Sequence, residues 1–97
     1  MRTRKNILYH TFIGLKAEII NSATPELVGF TGEIVDETKN LLIIDSKGKI
    51  RSIQKKPNIF RLYLDDNTTI DLIGAGILFR PFERAKKIKR RTAVLDA

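Results

Sequence analysis

The chain contains no cysteine, one histidine and three prolines, and only 7% of its residues are aromatic. Without cysteine it can form neither a disulfide framework nor a thiolate metal site. His10 is the only imidazole and has no partner at metal-ligand spacing, so a zinc site is not expected. No apolar run approaches the roughly 20 residues a membrane span needs, which predicts a chain with no membrane partner. The start, Met1 to Asn6, is basic, but the apolar stretch after it is cut short by His10 and Thr11, a poor match to a signal peptide. A soluble, cytoplasmic protein is the resulting expectation. There is no phosphate-binding Gly-rich loop and no nucleotide fingerprint after a strand. Gly29-Phe30-Thr31-Gly32 has the spacing of the loop that clamps nucleotides between two helices, but here it falls in strand-like sequence. The serines lack a nearby base. Asp36-Glu37 and Asp65-Asp66 are acidic pairs in predicted turns, where such residues cap or face solvent. No catalytic residues and no metal ligands are therefore assigned.

What the chain does have is positive charge, unevenly placed. Of 97 residues, 18 are Lys or Arg and 11 are Asp or Glu, a formal net charge of +7. Arg2, Arg4 and Lys5 form a basic arm at the start, and Arg80, Arg84, Lys86, Lys87, Lys89, Arg90 and Arg91 form a second cluster opposed only by Glu83. Residues 7–79 are close to neutral. A third basic segment lies within that body: Lys47, Lys49, Arg51, Lys55, Lys56 and Arg61, with no acid between them. Lys49, Arg51 and Lys55 fall on one side of an ideal strand and are predicted to form a stripe. Cations of this kind bind polyanions by releasing condensed counterions. The bland alternatives are a solvated surface and a disordered basic tail. The aromatics sit mostly at core-like positions; Tyr63, predicted to face out beside Arg61, is the exception. Recognition of RNA shape and phosphates is therefore expected, rather than base reading on an aromatic platform.

The pattern of apolar residues is that of a small β protein. A short helix is predicted over 5–13, with Leu8 and Phe12 on one face and Gly14 at its end. Six strands follow: 15–20, 29–36, 41–44, 49–55, 58–64 and 68–72. The turns at 37–40, 46–49 and 65–67 are rich in Asn, Asp, Lys and Gly. Gly29 and Gly32 suggest curvature or a bulge in the second strand. A basic helix is predicted over 82–91, basic nearly all round, with a frayed end after it. Strands at such spacing argue for a small antiparallel Sm-like or SH3-like barrel in which closure hides the edges. The expected organisation is a single domain, 1–97: a basic arm and short helix to 13, a barrel over 14–79, and a basic helix and tail from 80.

Several strings carry a family resemblance. They are Gly14 to Ser22, then Pro25, Leu27-Val28-Gly29, Gly32, and the run Ile34-Val35-Asp36-Glu37-Thr38-Lys39-Asn40-Leu41-Leu42-Ile43-Ile44. Later come Lys55-Lys56, Phe60, Leu62 and Gly74-x-x-Ile77-Leu78-x-Arg80-Pro81-x-x-Arg84. In these the chain resembles the archaeal ribonuclease P protein component 1 family over about residues 10 to 84. The resemblance implies an Sm-like barrel with terminal helices in the ribonucleoprotein endonuclease that removes the 5′ leader of precursor tRNA. There the RNA holds the catalytic centre, with divalent metal, and the proteins support folding and substrate binding. The partners so implied are the ribonuclease P RNA, pre-tRNA within the holoenzyme, and a small zinc-binding protein subunit as heterodimer partner. Leu8, Phe12 and Phe30 are the apolar candidates for that protein contact. A ribosomal or Sm-type RNA-binding barrel and a protein-interaction module are the competing readings.

Overall fold

The structure is a computed structural model and describes residues 1–95. Six strands form one antiparallel sheet: β1 (Lys16–Asn21), β2 (Thr31–Glu37), β3 (Leu41–Ser46), β4 (Lys49–Gln54), β5 (Ile59–Tyr63) and β6 (Thr69–Ile73), in the order β4-β3-β2-β1-β5-β6. The inward faces of these strands supply the core. Ala17 and Ile19, Leu42 and Ile44, Phe60 and Leu62, and Ile70 and Leu72 alternate with exposed or half-exposed neighbours, as period-2 patterning requires. The expected mainly β, barrel-like fold is present. Leu41 to Ile44 is not buried on both faces as its uniform apolarity suggests: Leu41 and Ile43 are only half-buried.

The sheet curls until its two edge strands approach at one end. Beyond β4, the Lys55 N–H donates to Asn40 O at 2.8 Å and the Lys55 carbonyl accepts from Asn58 N. Just beyond β6, Gly74 N–H donates to Asn58 O at 2.9 Å. That approach depends on a missing side chain. A Cβ on Gly74 would stand 1.6 Å from Lys55 O. Gly32 in β2 permits a similar approach, since a Cβ there would come within 2.5 Å of Asp45 O in β3. The strand thus needs Gly32 for close packing, whereas the breaks in register lie elsewhere: between Ile19 and Asn21 in β1, and between Ile34 and Asp36 in β2. The second bulge has a large consequence. Regular alternation from the buried Ile34 would send Asp36 inward and Glu37 out. The extra residue makes both Val35 and Asp36 exposed and turns Glu37 into the core.

The chain ends depart from expectation. The predicted helix over 5–13 is only one 3-10 turn, Ile7–Tyr9, after which His10 is extended. The carbonyls of Leu8 and His10, which a continuing helix would use, instead accept from the Arg84 guanidinium at 3.1 and 2.6 Å. Ile7, Leu8 and Phe12 plug the open end of the barrel. The predicted single basic helix is two short ones, α1 (Pro81–Lys87) and α2 (Arg90–Ala93), separated by extended Ile88 and Lys89. Ile88 leans on the core, which breaks the helix. The end is not frayed through residue 95. Ala93 and Val94 are buried, Val94 bridges Leu72, and Leu95 N–H donates to Asp71 O at 3.0 Å. The segment thus covers the free edge of β6; residues 96 and 97 lie outside the described chain.

Gly74→Ala tests the edge closure. It is expected to destabilise the fold by at least ~2 kcal/mol in urea unfolding, because the clashing atoms are backbone and cannot yield; a loss under ~0.5 kcal/mol would contradict the closure.

Candidate nucleic-acid interface

The first question for each predicted cation is whether its charge is free to meet a phosphate. Two are not. Glu37, Lys55 and Arg84 form a buried ion cluster with side-chain exposure of 0% for all three. Glu37 Oε2 accepts from Lys55 Nζ at 2.9 Å and from Arg84 Nη1. The Lys55 ammonium gives its two other protons to Thr38 O at 2.8 Å and Phe79 O at 3.0 Å. Arg84 donates further to Leu8 O, His10 O and Phe79 O, and its guanidinium lies 3.9 Å from the Phe12 ring centroid.

Lys55 follows β4 on the same side as the buried Ile53, so the strand carries it into the barrel. Pro81 opens α1, and helical spacing then aims Arg84 at the plug. The predicted stripe of Lys49, Arg51 and Lys55 is corrected accordingly. Only its first two members, on the exposed first half of β4, face solvent. Arg84 is likewise removed from the RNA-binding candidates, because its guanidinium is buried and bonded inside the protein.

One carboxylate and two cations leave the cluster with surplus positive charge away from water. Burial depresses the Lys55 pKa, Glu37 pulls it back up, and Arg84 adds to the depression. In the window from that lowered value up to the ordinary 10.5, the unfolded chain binds more protons than the folded one. This group's contribution therefore favours folding increasingly as pH rises through the window. The carbonyl acceptors around both cations replace the water they have lost.

Three further candidates are held by the protein itself. Arg2 Nε meets Asp65 Oδ2 at 3.1 Å, and its Nη1 donates to Ile13 O at 2.6 Å. The Arg2 side chain, and then its backbone N–H donating to Asp65 Oδ2 at 2.8 Å, hold the Asp65 carboxyl below the usual carboxylate range. Arg4 Nη1 donates to Thr69 O at 2.6 Å. Arg61 forms a two-pronged pair with Asp71 directly across the β5–β6 ladder, Nε to Oδ1 at 2.8 Å and Nη2 to Oδ2 at 3.1 Å. Tyr63 is half-buried, not a free stacking surface. Its hydroxyl donates to Glu18 at 3.2 Å, and Lys16 Nζ stands 4.8 Å over its ring.

The exposed candidates are Lys5, Lys47, Lys49, Arg51, Lys56, Arg80, Lys86, Lys87, Lys89, Arg90 and Arg91. Most follow one line. Lys47 is at the tip of the β3–β4 hairpin, where it and Gly48 take positive φ of 55° and 87°. Lys49 and Arg51 lie on β4, an edge strand, and Lys56 follows its end. There the buried Lys55 touches Phe79 O, immediately before Arg80 and the basic helices. Lys86 and Lys87 lie over the rings of Phe82 and Phe79 at 4.6 and 5.2 Å. Two exposed lysines in the neutral body, Lys16 and Lys39, were missed by reasoning from charge clusters. Their outward phase in β1 and in the β2–β3 turn is the signal that finds them.

The apolar candidates do not form one surface. Leu8 and Phe12 are buried in the plug at 2% and 0% exposure. Phe30 packs on the core at the other end of β1, beneath the Arg51 guanidinium at 5.4 Å. The exposed apolar side chains of the plug and the adjoining α1 are Tyr9, Ile13 and Phe82.

A curled six-stranded antiparallel barrel with one plugged end and a cationic edge defines a small β-barrel protein suited to a polyanion. The chain belongs to the ribonuclease P/MRP subunit p29 family, whose model matches residues 5–87. It is 39% identical over 88 residues to ribonuclease P protein component 1 of Pyrococcus furiosus, covering 91% of this chain and 69% of that one. The corresponding protein of Staphylothermus marinus is 40% identical, covering 91% of this chain and 97% of its own length. The solved structure of Mth11, described as a homologue of human RNase P protein Rpp29, superposes with a TM-score of 0.58 at 30% identity. It covers 77% of this chain and 97% of that structure.

Glu37→Ala tests the cluster. Leaving two buried cations unbalanced is expected to cost about 3–5 kcal/mol, whereas Glu33→Ala, at an exposed position of the same strand, stays within about 0.5 kcal/mol. Chemical denaturation of both variants at neutral pH reads the difference; equal small losses would refute the role given to Glu37.

Proposed function

We propose that this chain is an RNA-binding, non-catalytic protein subunit of the ribonuclease P ribonucleoprotein, and that it serves 5′-leader removal from pre-tRNA. The observation that carries the reading is family membership across residues 5–87. The segregation of charge supports it: the buried cations maintain the fold, and the exposed ones run along the β4 edge into α1 and α2. In this reading Lys47, Lys49, Arg51, Lys56, Arg80, Lys86, Lys87, Lys89, Arg90 and Arg91 contact phosphates of the ribonuclease P RNA, with Lys5 from the arm. Arg2, Arg4 and Arg61 contribute field rather than contact. The chemical step belongs to the RNA, together with its divalent metal.

The mechanism for this chain is electrostatic and steric. A rigid hairpin edge presents cations at strand spacing, and two short helices present more at the adjoining end. Both match a folded RNA backbone better than a stretched single strand. Each neutralised phosphate releases counterions, so binding weakens steeply with salt. Among the described residues no helix is long and apolar enough to cross a membrane. A small zinc-binding protein subunit is the proposed heterodimer partner, seated on Tyr9, Ile13 and Phe82 rather than on the buried Leu8 and Phe12.

Paired charge reversal, Lys49→Glu with Arg51→Glu, is expected to weaken binding of the ribonuclease P RNA at least tenfold. It should also flatten the dependence of log affinity on log salt by about 1 to 2, by analogy with other phosphate contacts. Unchanged affinity in filter binding would remove this edge from the interface. For the protein contact, Phe82→Glu should abolish heterodimer formation while leaving the melting temperature nearly unchanged. Phe12→Ala should instead lose about 3–5 kcal/mol of stability. A heterodimer that tolerates Phe82→Glu would place the partner elsewhere.

A further inference from the structure

The chain end covers the outer edge of β6, whereas β4, at the other margin of the sheet, has no strand beyond it. The hairpin decides which of its main-chain groups are left over. Lys47 and Gly48 form a two-residue turn with positive φ at both positions, so Ser46 and Lys49 are its closing hydrogen-bonded pair. Alternation then directs the N–H and carbonyl of Lys49, Arg51 and Ile53 at β3, and those of Ile50, Ser52 and Gln54 away from it. Two bonds fix this phase independently. Lys55 N–H donates back across the ladder to Asn40 O at 2.8 Å, and Gln54 O accepts from Asn58 Nδ2 on the outer side at 2.7 Å. The N–H and carbonyl of Ile50, those of Ser52, and the N–H of Gln54 have no partner among the described residues. Ile50 is 63% exposed and Ser52 is exposed as well. Beside Ser52 and Gln54 the strand borders a hollow of about 290 Å³ instead of a packed neighbour.

An open edge takes either a further strand or another hydrogen-bonding partner. A strand is disfavoured, because lysine along an edge guards against strand addition, and Lys47, Lys49, Arg51 and Lys56 stand here with no acid before Arg61. The charge selects RNA, and in the reading above those cations take its phosphates. The main chain between them has a different chemistry. Ile50 and Ser52 each offer a donor and an acceptor side by side. A phosphate oxygen only accepts, and the carbonyls would repel it. A ribose 2′-hydroxyl both donates and accepts, and in A-form RNA these hydroxyls line the wide, shallow minor groove. The two outward residues stand roughly 6.6–6.8 Å apart along the strand, comparable with one nucleotide step.

We propose that the free main-chain edge of β4 at Ile50 and Ser52 binds the 2′-hydroxyls of successive nucleotides in a paired stretch of RNA, and so distinguishes RNA from DNA. The inference rests on the RNA-binding reading above. It adds uncharged contacts to the ribose, made by backbone groups rather than by the cationic side chains that meet phosphates.

The test uses the full chain and two short blunt-ended duplexes of one sequence at low ionic strength, one of RNA and one of 2′-fluoro RNA. The fluorine keeps the A-form and every phosphate but cannot donate a hydrogen bond. The RNA duplex is expected to bind about tenfold more tightly, the scale of a pair of neutral hydrogen bonds. The two should show the same dependence of log affinity on log salt, because no phosphate contact differs. Ser52→Pro deletes one outward N–H at an edge position, where proline is tolerated, and should cut the tenfold ratio to about threefold with the salt dependence unchanged. Amide hydrogen exchange decides if that variant does not fold. The Ile50 and Ser52 amides should exchange freely in the isolated chain, slow down with the RNA duplex, and stay fast with the 2′-fluoro duplex. Equal binding of the two duplexes, or a ratio that Ser52→Pro leaves at tenfold, would overturn the ribose site while leaving the RNA-binding reading intact. Protection of the same amides without RNA, rising with protein concentration, would assign the edge to strand pairing between copies and also overturn it. Failure to bind either duplex would overturn the RNA-binding reading itself.

Discussion

A carboxylate shared by two cations, all out of contact with solvent, ties the ends of this chain to its barrel. Glu37 sits at the close of β2, Lys55 just beyond β4, and Arg84 on α1. The same two cations bind the carbonyls of Leu8, His10, Thr38 and Phe79. Four segments distant in sequence thus meet at one charged point. A protein of this size has little core to spare, and hydrophobic plugging by Ile7, Leu8 and Phe12 does not alone fix where the N-terminal segment and α1 lie. Directional bonds from a planar guanidinium do fix it. Such a cluster gives weak net stabilisation compared with an apolar core of equal volume, but it penalises any arrangement in which one partner is missing.

The cluster also divides the basic residues by task. Counting charges along the sequence treats all of them as equivalent candidates for an RNA surface. In three dimensions Lys55 and Arg84 belong to the interior, and Arg2, Arg4 and Arg61 bind groups of the protein. The remaining cations are exposed and lie mainly along the β4 edge and the two short helices. Because the interior cations hold α1 against the barrel, they set where the exposed cations of α1 point, without touching RNA themselves. Loss of the cluster would therefore weaken RNA binding indirectly, through misplacement of α1.

The barrel was legible in the sequence because its signals are local. Alternation in Phe60, Leu62 and Leu64, turn chemistry at Lys47-Gly48 and Asp66-Asn67, and the near-regular strand spacing all arise within a few residues of where they act. The ion cluster was not legible, because its cause is a register shift. Only the bulge between Ile34 and Asp36 turns Glu37 inward, and nothing in the string Asp36-Glu37 distinguishes a buried carboxylate from a turn acid. The two chain ends were misjudged for a related reason. Leu8 and Phe12 have helical spacing, but Arg84, more than seventy residues away, takes the carbonyls such a helix requires. The basic run from Arg80 reads as a uniform cationic helix until Ile88 and Val94 are drawn onto the core and break it.

Lysine reactivity toward an amine-acylating reagent, mapped by mass spectrometry on the free chain and on its complex with the ribonuclease P RNA, tests this division of labour most directly. Lys55 should be unreactive in both states, shielded by Glu37, Thr38 and Phe79. Lys47, Lys49, Lys56, Lys86, Lys87 and Lys89 should react freely in the isolated chain and become protected once RNA is bound. A Lys55 that reacts in the free protein and is shielded only by RNA would contradict the account, since the buried cluster would then not exist in solution.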